Sequence, residues 1–379
     1  MKVLHIIAGL NQGGAEGALC RLITSDEEDH HEVISLLDDG VHGAALRVAG
    51  IPVHTIGMRR GRPSLRGFLK LVRIIKSIQP DIVQTWMCHA DLLGGIASRV
   101  SGSGIVVWGI RNTLLDNQTT PLSTRIVVRL SALLSSFLPT SIVSCSTTAA
   151  QQHIHIGYDS RKMVTIPNGI DLDRFQSDPA SRVAMRSEIG IMTHECLFGM
   201  VARYDPQKDH KNLLLALRAL ADLPTSPWKC LLVGRGMDSS NTLLRDLLED
   251  FGLTSRVLLL GARDDIPQIM NALDAHVLSS AYGEGFPNVV AEAMACGVPC
   301  VATDVGDARQ IIGNSGWVVP PKDENSLATA LAKVLGEFGS DGWAAKKEEA
   351  RMAIHQNFGL GRMRDAFKNV WISSQLQKK

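Results

Sequence analysis

Short apolar runs alternate along this 379-residue chain with longer stretches whose apolar positions recur every three or four residues. The short runs predict buried strands, and the longer spacing predicts helices packed on them. In the first half the predicted strands are Val3–Ala8, Val33–Leu37, Ile82–Thr85, Ile105–Ile110 and Ser141–Cys145, with helices from Ala15, from Leu92 and over Ser146–Ile156. The pattern pauses at Val164-Thr-Ile-Pro-Asn-Gly-Ile-Asp-Leu-Asp-Arg-Phe175, where Pro167 and Asn168-Gly169 mark a turn. It resumes with strands at Leu197–Val201, Lys229–Val233, Arg256–Leu260, Ala275–Leu278 and Pro299–Ala302. Helices are expected at Asn212–Leu223, Asn241–Gly252, Ile266–Ala272, Asn288–Ala295 and Asn325–Leu335. Such alternation means βαβ units and parallel sheets, so the chain reads as α/β with two doubly wound domains, 1–170 and 171–357. Two such domains facing each other leave a crevice at the carboxyl ends of their strands, where open α/β sheets take ligands. Met363, Phe367, Val370 and Trp371 fall at near-helical spacing, which predicts that 358–379 is a helix returning to the first domain.

Composition narrows what such a chain can do. A hydrophobic content of 45% with 20% charged residues is that of a soluble globular protein, and a net charge of +1 argues against a nucleic-acid partner. Seven cysteines without paired CxxC spacing read as thiols in a reducing compartment, with Cys296 and Cys300 packed in a core. The N-terminal Met-Lys-Val-Leu-His-Ile-Ile-Ala-Gly-Leu reads as a first strand rather than a signal peptide. No segment has the eighteen or so apolar residues of a membrane span, since Leu130–Val143 is interrupted by four serines, Pro139 and Thr140. The expected location is cytoplasmic, at most peripheral on the inner face of the plasma membrane.

Charge is unevenly spread. No acidic residue occurs between Asp39 and Asp81, whereas Arg47, Arg59, Arg60, Arg62, Arg66, Lys70, Arg73 and Lys76 all fall there. Leu65, Phe68, Leu69, Val72 and Ile75 add an apolar stripe at helical spacing. A helix of this kind can lie on anionic lipid through Arg59–Lys76, or pack its stripe on a sheet as an ordinary surface helix.

The richest motif is Ala281-Tyr-Gly-Glu-Gly-Phe-Pro-Asn-Val-Val-Ala-Glu-Ala-Met-Ala-Cys-Gly-Val-Pro299. Gly283 and Gly285 permit a close backbone approach, Pro287 suits a helix start, and Gly297 with Pro299 stops the helix. Glu284 then lies in the loop and Glu292 one turn inside. Free N–H groups at a helix start suit phosphate, while carboxylates suit sugar hydroxyls, so a nucleotide sugar would satisfy both. The segment alone fits a quiet strand-turn-helix with solvated glutamates equally well. In Val201-Ala-Arg-Tyr-Asp-Pro-Gln-Lys-Asp-His-Lys211, Arg203 and Lys208 put two cations at the predicted crevice, where they would meet the charge growing on a departing diphosphate. Gly9-Leu-Asn-Gln-Gly-Gly-Ala-Glu16 after the first strand lacks the GxGxxG spacing of a dinucleotide site. Asp171-Leu-Asp173 falls in the linker and reads as turn and capping chemistry.

Four elements coincide in order: the GGAE turn, Val-Ala-Arg-x4-Lys, Leu-Leu-Val-Gly-Arg-Gly at 231–236, and Glu-Gly-Phe-Pro-x4-Glu. Together they resemble the retaining glycosyltransferases of family four, in which two Rossmann-like domains form the GT-B fold, and the likeness covers nearly the whole chain. It implies that Glu284, with the backbone of Gly285, Phe286 and Pro287, holds donor-sugar hydroxyls. Asn288 and Val289 would offer N–H groups to the diphosphate, Glu292 would accept the ribose hydroxyls, and Arg203 and Lys208 would hold the diphosphate. Gly13 and Gly14 would complete the donor site; Gly234, Arg263 and Ile266 would flank the base. The resemblance implies a front-side displacement with no metal, cofactor or protein nucleophile. The donor expected is a uridine-diphosphate sugar, and the acceptor a growing, lipid-linked bacterial surface glycan. Arg111 stands where many relatives carry histidine, and Trp86, His89, Trp108, Arg111 and Asn112 are the expected acceptor-side residues. A nucleotide-sugar epimerase of the same two-domain form, or a non-catalytic membrane-associated scaffold, is the alternative.

Overall fold

A computed structural model describes residues 1–11, 13–59, 61, 64–113, 120–224 and 226–377. The chain divides into two compact units: residues 1–169 with 360–379, and residues 170–359.

The first unit is built on seven strands: β1 (Lys2–Ile7), β2 (His30–Ser35), β3 (Val53–Thr55), β4 (Ile82–Trp86), β5 (Val106–Ile110), β6 (Ser141–Ser144) and β7 (Met163–Thr165). They pair in parallel in the order β3-β2-β1-β4-β5-β6-β7. Successive strand residues point to opposite faces. In β1, Val3 and Ile7 therefore enter one core while Leu4 and Ile6 enter another. Both faces are thus apolar and both carry helices, as a doubly wound parallel sheet requires. The helix Leu360–Leu376 supplies Met363, Phe367, Val370 and Trp371 to the first core. It is fixed further by Trp371 Nε1 donating to Gln84 Oε1 at 3.1 Å.

The second unit has six parallel strands: β8 (Cys196–Val201), β9 (Trp228–Val233), β10 (Val257–Gly261), β11 (Ala275–Leu278), β12 (Cys300–Thr303) and β13 (Trp317–Val319). Their order is β10-β9-β8-β11-β12-β13. Between β8 and β11 the strand order reverses direction, and open α/β sheets place ligands at the carboxyl ends beside such a point.

Several of the predicted features can be placed. The Leu65–Ile78 helix turns Val72 and Ile75 of the predicted stripe, with Leu71 and Ile78, into the core over β1 and β4, Phe68 packing at its edge, whereas Leu65 and Leu69 stay exposed. Arg60 and Arg62 lie outside the described residues. Trp86 and Trp108 are fully buried, one stacked on Phe367 and the other edge-on to Tyr158, so neither offers a face to an acceptor sugar. Among the described residues no helix is long and apolar enough to cross a membrane.

Candidate active site

In the second unit the chain leaves β8 through Arg203 and Asp205 and makes one tight turn, Pro206–Lys208, before the helix His210–Ala221. Asp205 caps the turn by accepting from Gln207 N at 2.9 Å. Asp209 sits in the left-handed region, φ 48°, and caps the helix by accepting from Asn212 N at 3.3 Å. Such strain in a residue other than glycine persists only where the surroundings impose it. Here the loop after β11 imposes it: Ser279 Oγ donates to Lys208 O at 2.8 Å, and Ala281 N donates to Gln207 O at 2.8 Å.

That lacing brings Lys208 onto Glu284. Lys208 Nζ donates to Glu284 Oε1 at 2.5 Å, and Ser280 Oγ donates to the same oxygen at 2.7 Å. The two side chains are only 12% and 10% exposed, so the pair is shielded from bulk water. The loop behind is held as firmly. Thr303 Oγ1 donates to Ser280 O at 2.7 Å, and Asp307 N to Gly285 O at 2.9 Å. Gly306 has φ +56°, and a Cβ there would lie 2.3 Å from Gly285 O and 2.5 Å from Glu284 O. Only glycine lets these two segments approach so closely.

The helix Asn288–Ala295 opens directly after this loop, with Pro287 at its cap, and Gly297 at φ 75° ends it. Its first turn carries no acidic side chain, and the start of a helix favours an anion. Phe286 turns inward against Phe358, ring centroids 5.4 Å apart, so at 286 only the backbone serves a ligand. Glu292 is half-buried one turn into the helix. Burial, reinforced by the Glu292 charge, pushes the Cys296 thiol up to about 12, which makes it an inert core group. Two imidazoles stay neutral beside Lys208: burial and then the lysine charge push His276 down to about 3 and His210 down to about 4.

The turns after β8, β9 and β10 form one platform. Gly234, φ 142°, donates its N–H to Gly261 O at 2.7 Å, and a Cβ on it would lie 2.1 Å from Ala202 O. Tyr204 N donates to Arg235 O at 2.9 Å. Arg263 donates from Nε and Nη2 to Asp265, at 2.8 and 2.5 Å, and from Nη2 to Glu188 at 3.1 Å. Ile266 begins the next helix, Ile266–Ala272. Arg203 is paired with Asp205 at 3.0 Å and is about half exposed. The structure therefore joins Lys208, Ser280 and Glu284 directly, with Arg203 on the same turn as Lys208. Ser280, Thr303 and Gly306 contact Glu284 and its loop, which the sequence did not reveal. The Gly306 position has a readable signal in the Asp-Val-Gly-Asp turn that follows a strand.

In the first unit Gly13 caps the helix Gly14–Thr24 in an extended conformation, with its Cβ position 2.3 Å from Glu16 Oε2. At the end of β4, Met87 has φ 72° and donates its N–H to Gly109 O at 2.8 Å. The helix Cys88–Ser101 follows and carries His89. A cavity of about 380 Å³ lies beside it, lined among others by Asp91, Asn112, Thr113, Arg125 and Arg129. Asp91 is buried, with its Oδ1 accepting from Thr85 Oγ1 at 2.5 Å and from Gly109 N at 3.0 Å. Burial outweighs these bonds and pushes its carboxyl up to about 7. Of the five expected acceptor-side residues, only Asn112 lines this cavity. Arg111 is a buried cation 4.6 Å above the Trp86 ring, with Nη2 donating to Asn168. Asp91 went unrecognised in the sequence because an acid in the first turn of a helix usually serves the helix dipole.

Asp171 Oδ1 accepts from Asp173 N at 3.2 Å and Arg174 N at 3.0 Å, which is capping geometry. The described residues hold no cluster of metal-ligating side chains.

Two parallel-sheet α/β units, the second with a cation–carboxylate pair at its switch point, define a protein of the GT-B type. Anabaena HepE, solved in complex with UDP, superposes with a TM-score of 0.86 over 98% of this chain and 100% of that one, at 24% identity. Sucrose-phosphate synthase of Thermosynechococcus elongatus has a TM-score of 0.79 at 18% identity, covering 98% and 99%. Residues 12–174 match the family model described as Glycosyltransferase Family 4, and residues 195–337 the one described as Glycosyl transferases group 1. The chain belongs to this glycosyltransferase family. Among curated relatives, the Escherichia coli UDP-Gal:alpha-D-GlcNAc-diphosphoundecaprenol alpha-1,3-galactosyltransferase is 26% identical over 83% of this chain and 81% of its own. The putative glycosyltransferase EpsF of Bacillus subtilis is 25% identical over 80% and 79%.

Proposed function

We propose that this glycosyltransferase moves a hexose or N-acetylhexosamine from a UDP-sugar to a lipid-linked bacterial surface glycan, with retention and without a metal. The observation that carries the reading is the shielded Lys208–Glu284 pair on the loop that opens directly into the Asn288–Ala295 helix. Glu284 accepts hydroxyls of the donor sugar, Lys208 and Arg203 meet the diphosphate, and Glu292 accepts the ribose hydroxyls. Gly13 and Gly14 are assigned to the donor, and Asn112 and Asp91 to the acceptor. The acceptor oxygen bonds to the anomeric carbon on the face from which the diphosphate departs. As that C–O bond breaks, its electron pair goes to the diphosphate, whose oxygen takes the acceptor proton. Two lysine and arginine cations supply the charge stabilisation that a divalent ion would otherwise give, and they act most strongly as negative charge develops. The UDP and diphosphate-lipid assignments draw support from the E. coli relative's substrates and from the UDP bound in the HepE structure.

The test is incubation with UDP-galactose, UDP-glucose or UDP-N-acetylglucosamine, a polyprenyl-diphosphate sugar acceptor and excess chelator, with the product's anomeric configuration read by NMR. An α-linked product formed in chelator is expected. Free epimerised nucleotide sugar, a β-linked product, or turnover that returns only with added metal would each overturn the corresponding part. Glu292→Ala should weaken UDP binding by about 1.5–3 kcal/mol, the worth of charged hydrogen bonds; calorimetry giving an unchanged Kd would remove Glu292 from the ribose.

A further inference from the structure

The first unit sinks a carboxylic acid at a place where helices ordinarily keep one at the surface. Asp91 stands in the first turn of the Cys88–Ser101 helix, yet it is only 1% exposed. Two glycines a turn further along account for the depth. A Cβ on Gly94 would lie 3.0 Å from Thr85 Cγ2, and one on Gly95 2.8 Å from Trp108 Nε1, so their absence lets the helix press against the sheet. Gly109 completes the fit from β5, since a Cβ there would lie 2.4 Å from Thr85 O. Gly109 N and Thr85 Oγ1 both donate to Asp91 Oδ1, at 3.0 and 2.5 Å, and Oδ2 has no hydrogen-bond partner among the described residues.

Asp91 lines the cavity of about 380 Å³, to which the Leu122–Leu134 helix also contributes. Ligand cavities run from about 300 to 1,000 Å³, so this one suits a single pyranose ring rather than a run of sugars. Titratable groups reach it from several elements: Cys88 on the same helix, His153 on Thr147–His155, Tyr158 before β7, and Arg125 and Arg129 on Leu122–Leu134. Burial pushes the Cys88 thiol up to about 12 and the Tyr158 phenol well above its ordinary range, so both stay neutral. His153 donates from Nδ1 to Ala149 O at 2.8 Å, and burial holds its pKa down, so it too is neutral at pH 7. The arginines are cations throughout, and the charge of Arg111 after β5 favours ionised Asp91. Burial nevertheless pushes the Asp91 carboxyl up to about 7, so among the described residues of the cavity it alone changes charge near neutrality. A bond from a hydroxyl to an ionised oxygen is roughly twice as strong as one to a neutral oxygen. We propose that Asp91 Oδ2 receives a hydroxyl of the acceptor's terminal sugar, and that it does so in the ionised form, which makes acceptor binding proton-linked. Where Asp91 starts protonated, its O–H bond breaks, the proton passes to water, and the sugar hydroxyl donates to the oxygen left behind. This rests on the assignment of the cavity to the acceptor and adds how that site is regulated: acid closes it while UDP binding is unaffected.

The experiment is titration calorimetry of the full chain, saturated with UDP, against the hexyl diphosphate ester of N-acetylglucosamine at pH 6, 7 and 8, in buffers of different ionisation enthalpy. The parent should release close to one proton per ligand bound at pH 6 and about a tenth of one at pH 8, with Kd falling about tenfold over that range. T85V removes a hydroxyl that favours the ionised acid, so both profiles should move to higher pH. D91N should release no proton and bind severalfold more weakly than the parent at pH 8, with a Kd that no longer depends on pH. UDP alone should bind all three proteins within twofold at each pH. Binding by the parent without proton release, or with equal Kd at pH 6 and 8, overturns the proposal, as does a parent that does not bind the probe. D91N that still releases the proton also overturns it, and the parent titrations decide the matter even where a variant does not fold. Proton-linked binding without any sugar transfer would count against the proposed reaction and leave the role of Asp91 standing; transfer without proton linkage would do the reverse.

Discussion

Glu284→Gln keeps the size of the side chain and an oxygen for Ser280 and Lys208, but removes the charge. In the resting enzyme, Lys208 spends its hydrogen bond on Glu284 at 2.5 Å in a largely shielded setting. Breaking a shielded pair by deleting one partner costs about 3–5 kcal/mol, most of it from the charge left behind. Glutamine leaves the Lys208 ammonium without its counter-charge but keeps a charge-assisted hydrogen bond to it through the amide oxygen, so the folded state should lose about 1.5–3 kcal/mol, less than a full break of the pair. Lys208→Met strands the Glu284 carboxylate with Ser280 alone, and the loss should approach about 3 kcal/mol. The consequences for ligands separate further. If Lys208 meets the diphosphate, its removal should weaken UDP by about 1.5–3 kcal/mol, on the order of 10- to 150-fold. Glu284→Gln instead frees the lysine, so UDP should bind as well as in the parent or better. The added affinity of UDP-sugar over UDP should vanish, because the sugar hydroxyls have lost their charged acceptor. Titration calorimetry with UDP and with the active UDP-sugar gives both Kd values for each variant. If Glu284→Gln weakened UDP and UDP-sugar by the same tenfold factor, Glu284 would be a support for Lys208 and not a sugar ligand.

Three further outcomes are expected. His210 and His276 have pKa values in the fold below about 6.5, so above that pH they are neutral whether folded or not and contribute nothing. Below it the unfolded chain takes up protons that the fold refuses, and the unfolding free energy from urea curves should fall on acidification to pH 5 by about 1.4 kcal/mol per pH unit per histidine. Asp91 has the opposite sign: its pKa of about 7 in the fold means stability is lost as pH rises through the interval from about 4 to 7. Asp91→Asn should therefore stabilise the protein at pH 8 by on the order of 2 kcal/mol and little at pH 4, in paired denaturation curves. Gly306→Ala forces a Cβ against the Glu284 and Gly285 carbonyls, and should cut the UDP-sugar increment severalfold while leaving UDP within twofold; equal loss of both ligands would show a general collapse of the loop.

How much of this was legible depends on how local each cause is. Apolar runs such as Val3–Ile7 and Ala275–Leu278 are strands because nothing else buries them on two faces, and the sequence shows that directly. Val53–Thr55, Met163–Thr165 and Trp317–Val319 are three-residue strands, two at the rims of one sheet and one at the rim of the other, where pairing and not composition makes them strands. Glu284 and the helix start at Asn288 were readable because glycine and proline punctuate them. The Lys208–Glu284 contact was not, because it joins residues 76 apart through Ser279 and Ser280. Trp86 and Trp108 were misplaced although strand phase held the answer: Trp86 shares a face with Ile82, and Trp108 with Val106 and Ile110.

The first unit also has an order of assembly written into its covalent path. Its last helix, Leu360–Leu376, is separated from the rest of it by about 190 residues that form the other unit. The two ends of that insertion meet in register, Ile170 beside Gly359, with Ile170 N donating to Phe358 O at 2.8 Å. A ribosome adding about 5–20 residues per second needs roughly 10–40 s to cross the insertion. During that interval the nascent first unit lacks Met363, Phe367 and Trp371, and the faces of Trp86 and Gln84 that they cover await their partners. The second unit can therefore finish folding first, and the first is completed only once residues 360–376 have emerged.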